Sequence, residues 1–234
     1  MGELLSYSIV SGLAMLALYL VYRILLARDY QHNFNRAILL LIYFVSFVLS
    51  PYYLISGNII GEPDPQIFSF NVTGEANASL PTKSSTSLLG TILIWIYLSG
   101  MLAVIAKTVF TWFRLIKLIR SGKKIAYGDF ILVITDYDRY APFSWRHYIV
   151  ISRSDYDSNY SMIAEHELKH IICHHWIDLL IAQIVCIINW FNPAAWLMRD
   201  ELMLVHEYQA DMAVIDSGHD AQEYQMLLIK NIFL

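Results

Sequence analysis

His166, Glu167 and His170 stand in the run His166-Glu167-Leu168-Lys169-His170, and their spacing is that of one helix face. Residues four apart on a helix lie one above the other, so both imidazoles can address a single ion. Zinc takes two such nitrogens readily, and the Glu between them can act as general base toward a zinc-bound water. The alternative is an ordinary solvated face. Here the flanks Ile163, Ala164, Ile171, Ile172 and Cys173 are mostly apolar. Two unpartnered histidines among them would cost on the order of a few kcal/mol, which metal ligation removes.

A catalytic zinc takes three protein ligands and keeps a fourth position open. Glu207, in Val205-His206-Glu207-Tyr208-Gln209-Ala210-Asp211, is the best third ligand. Asp211 lies four residues on, on the same face. It can accept a hydrogen bond from a ligand imidazole and fix its tautomer. A solvated face is the alternative for both acids. His206 points elsewhere on that helix, as an oxyanion donor or a surface histidine. His175 and Asp178 are three apart and can pair, bracing the metal helix against the next. Arg199, Asp200 and Glu201 read as a solvated charge cluster. The rings of Trp145, Trp176, Trp190 and Trp196 read as interface anchors or core.

These residues sit in a chain that is apolar overall. Of its 234 residues 57% are hydrophobic and only 15% charged, against about 45–50% and about 25% in soluble domains. The net charge of -4 gives no footprint for nucleic acid. Cys173 and Cys186 fall in apolar helical stretches and read as small hydrophobes rather than a disulfide.

Three apolar runs precede the metal motif, roughly 4–26, 37–55 and 88–110. Each reaches the ~20 residues that carry a helix across a bilayer. The first lacks the basic flank and cleavage site of a signal peptide, which favours a retained helix. The first link carries Arg23, Arg28 and Arg36, and the segment after the third run carries Arg114, Lys117, Arg120, Lys123 and Lys124. The second link, about 57–87, holds Lys83 against Glu62, Asp64 and Glu75. Basic links stay in the cytoplasm, so the N-terminus and the 57–87 link lie outside and the metal motif inside. That outer link is rich in Gly, Pro, Ser and Asn, reads as a loop, and carries sequons at Asn71 and Asn77.

The third helix is expected to continue to about Ile119, with Gly122 ending it. Phe130 to Thr135 and His147 to Ser152 then read as strands, with Tyr140 to Trp145 between them and one exposed edge. Asp155, Asp157 and Ser158 supply caps for a helix over about 160–175. A fourth apolar run, 177–196, is broken at Asn192-Pro193 and contains Asp178, Gln183 and Asn189. That pattern suits an embedded, partly protein-facing helix. A last helix covers about 194–217. The expected architecture is mainly α and integral to the membrane. Residues 1–110 form three transmembrane helices with their outer loop. Residues 111–234 form a cytoplasmic-facing, partly embedded domain of a small β-sheet plus helices.

Pro142-Phe143-Ser144-Trp145 before an edge strand, His166-Glu167-Leu168-Lys169-His170, His175-x-x-Asp178, Asn192-Pro193 and Glu207-x-x-x-Asp211 occur together. As a set they resemble the membrane-embedded zinc metallopeptidases of the β-lactam sensor-transducer (antirepressor) family, over nearly the whole chain. The resemblance implies a gluzincin-type domain on a bacterial cytoplasmic membrane, with one Zn2+ on His166, His170 and Glu207 and with Glu167 as base. It implies proteolysis of a cytoplasmic protein such as a transcriptional repressor, or of the chain itself. In that family a sensor domain follows a further transmembrane helix. This chain stops at Leu234 before one, so a shortened form or a branch with a different C-terminus is expected. It has no Ser-x-x-Lys acylation motif for β-lactam sensing.

The expected reaction is peptide hydrolysis, the substrate strand adding to the edge near Phe143, Ser144 and Trp145. A signalling scaffold with a structural zinc site, and a housekeeping membrane gluzincin, are the alternatives.

Overall fold

The computed structural model describes residues 2–26, 31–59, 88–136 and 141–232. Three long helices come first: α1 (Gly2–Leu25), α2 (His32–Ile59) and α3 (Leu88–Ser121). Strands β1 (Lys123–Tyr127), β2 (Phe130–Thr135), β3 (Phe143–Trp145) and β4 (Tyr148–Ser152) follow. Helices α4 (Arg153–Ile172), α5 (His175–Ile188), α6 (Pro193–Asp216) and α7 (Ala221–Ile232) complete the chain. The expected loop at 57–87 overlaps the end of α2, and the rest of it, with both sequons, lies outside the described residues, as does Tyr140.

The architecture is mainly helical with one small sheet. Among the described residues α3 is the single helix that is by itself long and apolar enough to cross a bilayer. The described apolar stretch of α1, Ile9–Leu25, is shorter, and α4 with α5 passes the same test only as a pair bent by 61°. The bend was not expected: the metal helix stops at Ile172 rather than at His175. His174 takes a left-handed conformation (φ 56), its Nδ1 2.8 Å from the Ile172 carbonyl, and redirects the chain into α5.

The sheet runs β1-β2-β4-β3, with β2 and β4 parallel and the outer pairs antiparallel. Strand β1 was not anticipated, because Lys123 and Lys124 read as basic flank. Its burial pattern is that of an exposed edge. At the other edge β3 turns into β4 through Arg146 and His147. Arg146 has φ 56, a left-handed value that suits two-residue hairpin loops. Its guanidinium lies 5.6 Å above the Trp176 ring. Helix α4 is capped by Ser152 at the end of β4, ahead of the expected Asp155, Asp157 and Ser158: its hydroxyl accepts from the Asp155 N–H and donates to the Asp155 carboxylate. A non-helical residue, Asn159, kinks its first turns, so the straight part starts near the expected residue 160.

Helix α6 is the shared wall of two cores. Toward one side Ala195, Met198, Leu202 and Val205 pack with Met15, Tyr22, Leu39 and Tyr43 of α1 and α2 and with α5. Toward the other Val214 joins Leu132, Ile149, Ile151 and Tyr224 around the sheet and α4. Asn192 starts the helix: its Oδ1 accepts from the Ala194 N–H at 3.0 Å, Pro193 occupies the first turn, and its Nδ2 donates to the Gly12 carbonyl of α1 at 3.0 Å. At the far end Gly218, with φ +96, supplies the left-handed residue that lets the chain leave α6 and enter α7.

Helix α3 touches the rest at few places. Gly100 lets it approach Trp190 so closely that a Cβ there would sit 2.3 Å from the indole ring. Trp190 Nε1 donates to the Tyr97 carbonyl at 3.1 Å, and Gln183 Nε2 donates to the Thr108 hydroxyl at 2.9 Å. Toward its C-terminal end Ile119 packs on Val133 and Val150.

Candidate metal centre

The i, i+4 spacing on α4 brings His166 Nε2 and His170 Nε2 to 3.2 Å. Helix α6 supplies Glu207, whose carboxylate oxygens lie 3.4 Å from His166 Nε2 and 3.7 Å from His170 Nε2. Bonds of about 2.0–2.1 Å to a tetrahedral zinc separate donor atoms by about 3.3–3.4 Å. Both Nε2 atoms thus stand near that spacing from each other and from a Glu207 oxygen, Oε2 for His166 and Oε1 for His170. Among the described residues this is the set of three His, Cys, Asp or Glu side chains gathered closely enough to hold a metal ion. Three donors would leave the fourth position of a tetrahedral ion open.

The backing of His166 matches the expectation for Asp211 and adds a residue to it. The Nδ1–H of His166 faces the Tyr224 hydroxyl oxygen at 2.8 Å and Asp211 Oδ1 at 3.2 Å, and the Tyr224 hydroxyl donates to the same carboxylate at 2.7 Å. Burial opposes charge on His166, but hydrogen bonds to Asp211 and Glu207 prevail and raise it to about 10. The hydrogen bond from His166 in turn holds Glu207 below the usual carboxylate range. Burial, and then the neighbouring His166 charge, push His170 down to about 4. The Asp211 and Glu207 carboxylates thus favour a positive charge on His166.

Glu167 is buried, at 6% exposure. Burial raises it to about 7, against the opposing effects of His166 and of a hydrogen bond from Ser144. That bond links Glu167 to β3, whose outer edge pairs with no strand among the described residues. Phe143, Ser144 and Trp145 all line a cleft of about 1020 Å³ together with His166, Glu167, His170 and Glu207. The far wall is α3 from Val104 to Leu115. Trp145 and Trp196 pack on the cores as expected, and with Trp176 they also line the cleft, a place not expected for Trp176 or Trp196. Trp190 does not; it pins α3.

Three further expectations change. His206 is neither a surface histidine nor near a reacting oxygen: at 1% exposure it sits against Asp178, with Nε2 3.0 Å from Oδ2. His175 does not pair with Asp178, whose Oδ2 accepts from Arg36 Nε at 2.7 Å. His175 instead faces Nδ1 of His170 at 2.7 Å. Glu201 is not part of a free charge cluster, since Arg23 of α1 holds it at 2.8 Å. Both cysteines are free thiols. Tyr224, Gln209, Asn33 and Arg36 were missed as site residues, and no local spacing marks them.

No protein-family model matches this chain, and no curated protein matches it significantly.

Proposed function

We propose that the chain is a membrane-bound zinc endopeptidase that cleaves a cytoplasmic protein, or itself, in signal transduction. The observation that carries this reading is the donor triangle of His166, His170 and Glu207 beside a buried carboxylate, opening on a cleft with a free strand edge. The resemblance to antirepressor metallopeptidases favours a cytoplasmic repressor as substrate.

The surface supports a bilayer around the helical half. Leu13, Leu20, Val21 and Ile24 of α1, Leu41 and Phe44 of α2, and Trp95, Leu102 and Phe110 of α3 all point outward. Ile177, Ile181 and Ile184 make an exposed apolar stripe on α5. Ser11, Asn35, Ser46, Asn189 and Asn192 lie inside. Apolar outside and polar inside is the arrangement hydrocarbon demands. On this reading α1, α2 and α3 span the membrane, α5 is embedded, the N-terminus is outside, and the metal site faces the cytoplasm of a bacterial cell.

Zinc bound by the three side chains would supply a Lewis acid that acidifies water to near neutrality and polarises a carbonyl. The chain does the rest. The β3 edge offers backbone groups to an extended substrate and holds its scissile carbonyl over Glu167. Glu167, poised near 7, takes a proton from the attacking water as the new C–O bond forms. It returns that proton to the nitrogen as the C–N bond breaks. Asp211 and Tyr224 keep the Nδ1–H of His166 turned away from the reacting side.

Purified protein in detergent, zinc-loaded, is the test. Glu167→Gln should keep about one zinc per chain and lose about 10²–10⁴ in kcat on an extended peptide. Glu207→Gln should lose the metal. Full hydrolysis by the Glu167→Gln protein overturns the mechanism.

A further inference from the structure

Behind His170 runs a row of polar side chains, buried at His175 and Gln209 and reaching the surface at Asn33, that the hydrolytic chemistry does not use. With Nε2 of His170 turned to the donor triangle, its proton sits on Nδ1 and is donated to Nδ1 of His175 at 2.7 Å. His175 therefore carries its own proton on Nε2, which it donates to Gln209 Oε1 at 2.9 Å. Gln209 Nε2 donates to Asn33 Oδ1 at 2.6 Å, and Asn33 stands in the first turn of α2. His175 is 2% exposed and Gln209 6%, so neither group has water as a substitute partner. The His206 ring stacks on His175 at 3.9 Å, nearly parallel, and fixes its plane. One turn along α2, Arg36 donates to Asp178 and to the Cys173 carbonyl, both at 2.7 Å, clamping the same helix to the α4–α5 bend.

The two histidines of the triangle are thus backed differently. His166 leans on a carboxylate within its own domain, whereas His170 leans on a neutral ring whose partners end on α2. We propose that His175 is a positioning residue for the metal ligand His170, and that the chain His170–His175–Gln209–Asn33 makes metal affinity depend on where α2 sits. The inference rests on the metal reading above. Its physical core is polarity: Asn33, by accepting from Gln209 Nε2, favours the turn of that amide that puts Oε1 toward His175. If that amide turns, an N–H meets an N–H, His175 must change tautomer, and His170 loses its acceptor.

The test uses the whole protein in detergent and measures Zn2+ affinity by chelator competition and the visible spectrum of the Co2+-loaded form. His175→Phe, which fills the space without an acceptor, should weaken Zn2+ binding about 10–100-fold and alter the Co2+ spectrum. His175→Asn, which keeps an oxygen near the place of Nδ1, should restore most of the affinity. Asn33→Leu, at an exposed position, should weaken binding on the order of threefold, and Asn33→Asp should leave it unchanged. A wild-type protein that binds no zinc ends the metal reading and this one with it. A wild-type protein that binds zinc beside an equally tight His175→Phe overturns the positioning role alone. Equal affinity in Asn33→Leu and wild type overturns the link to α2, and decides the matter if the Phe variant does not fold.

Discussion

His166 carries a consequence that titration can read. Its folded value near 10 means the metal-free site holds a proton there at neutral pH, while a metal needs the neutral ring. Metal uptake must therefore expel that proton, and Glu167, near 7, gives up to about half of another. The sign follows: acid opposes binding, and affinity climbs by about tenfold per pH unit until the ring would deprotonate unaided. Calorimetry in two buffers of different ionisation enthalpy should find between about one and about one and a half protons released per zinc at pH 7. A value near zero contradicts the assigned state of His166. At this scale the sequence was readable where spacing is local. His166, Glu167 and His170 share one helix face, as do Glu207 and Asp211. Tyr224 reaches His166 across 58 positions and Asn33 reaches Gln209 across 176, and no periodicity encodes such meetings.

Among the elements, α3 shows how small side chains set the cleft. Gly100 packs on the Trp190 ring just beyond α5, Gln183 of α5 holds Thr108, and α3 from Val104 to Leu115 lines the cavity. Trp190 cannot swing freely while its Nε1 is bound to the Tyr97 carbonyl. Gly100→Leu should therefore cost about 1–3 kcal/mol, more than the roughly 1 kcal/mol of helix propensity it gains. Thermal unfolding in detergent should start several degrees lower. An unchanged midpoint would mean the contact is slack. The extent of α3 could be read from its apolar run, since helices of this length are specified by composition. The short strand β1 and the α4–α5 bend could not: the first depends on pairing with β2, the second on one histidine in a left-handed conformation.

The whole molecule is a helical half coated in apolar side chains, joined through α6 to a sheet-bearing half that holds the site. The proposed orientation assigns Lys117 and Arg120 to the cytoplasm and the stretch around Ser85 to the outside. Single cysteines at those places, in a background with Cys173 and Cys186 replaced, should separate cleanly. An impermeant thiol reagent on intact cells should label position 85 and spare position 120; the reverse pattern inverts the topology. The balance of basic residues between links suggested this arrangement, because the cost of moving charge across lipid is paid locally along the chain. How the halves meet was not legible, since nothing in the run 194–217 shows that both sides of α6 are covered.

That double service of α6 would tie the protein's lifetime to its metal. Glu207 projects from the same rod whose Met198 and Leu202 are locked among α1 and α2. An ion gripping Glu207 and the α4 histidines would fasten the two halves like a keystone, and bound ligand adds its binding energy to the folded state. A cell short of zinc would then hold a looser molecule, open to clearance by its quality-control proteases, rather than a store of idle enzyme awaiting metal.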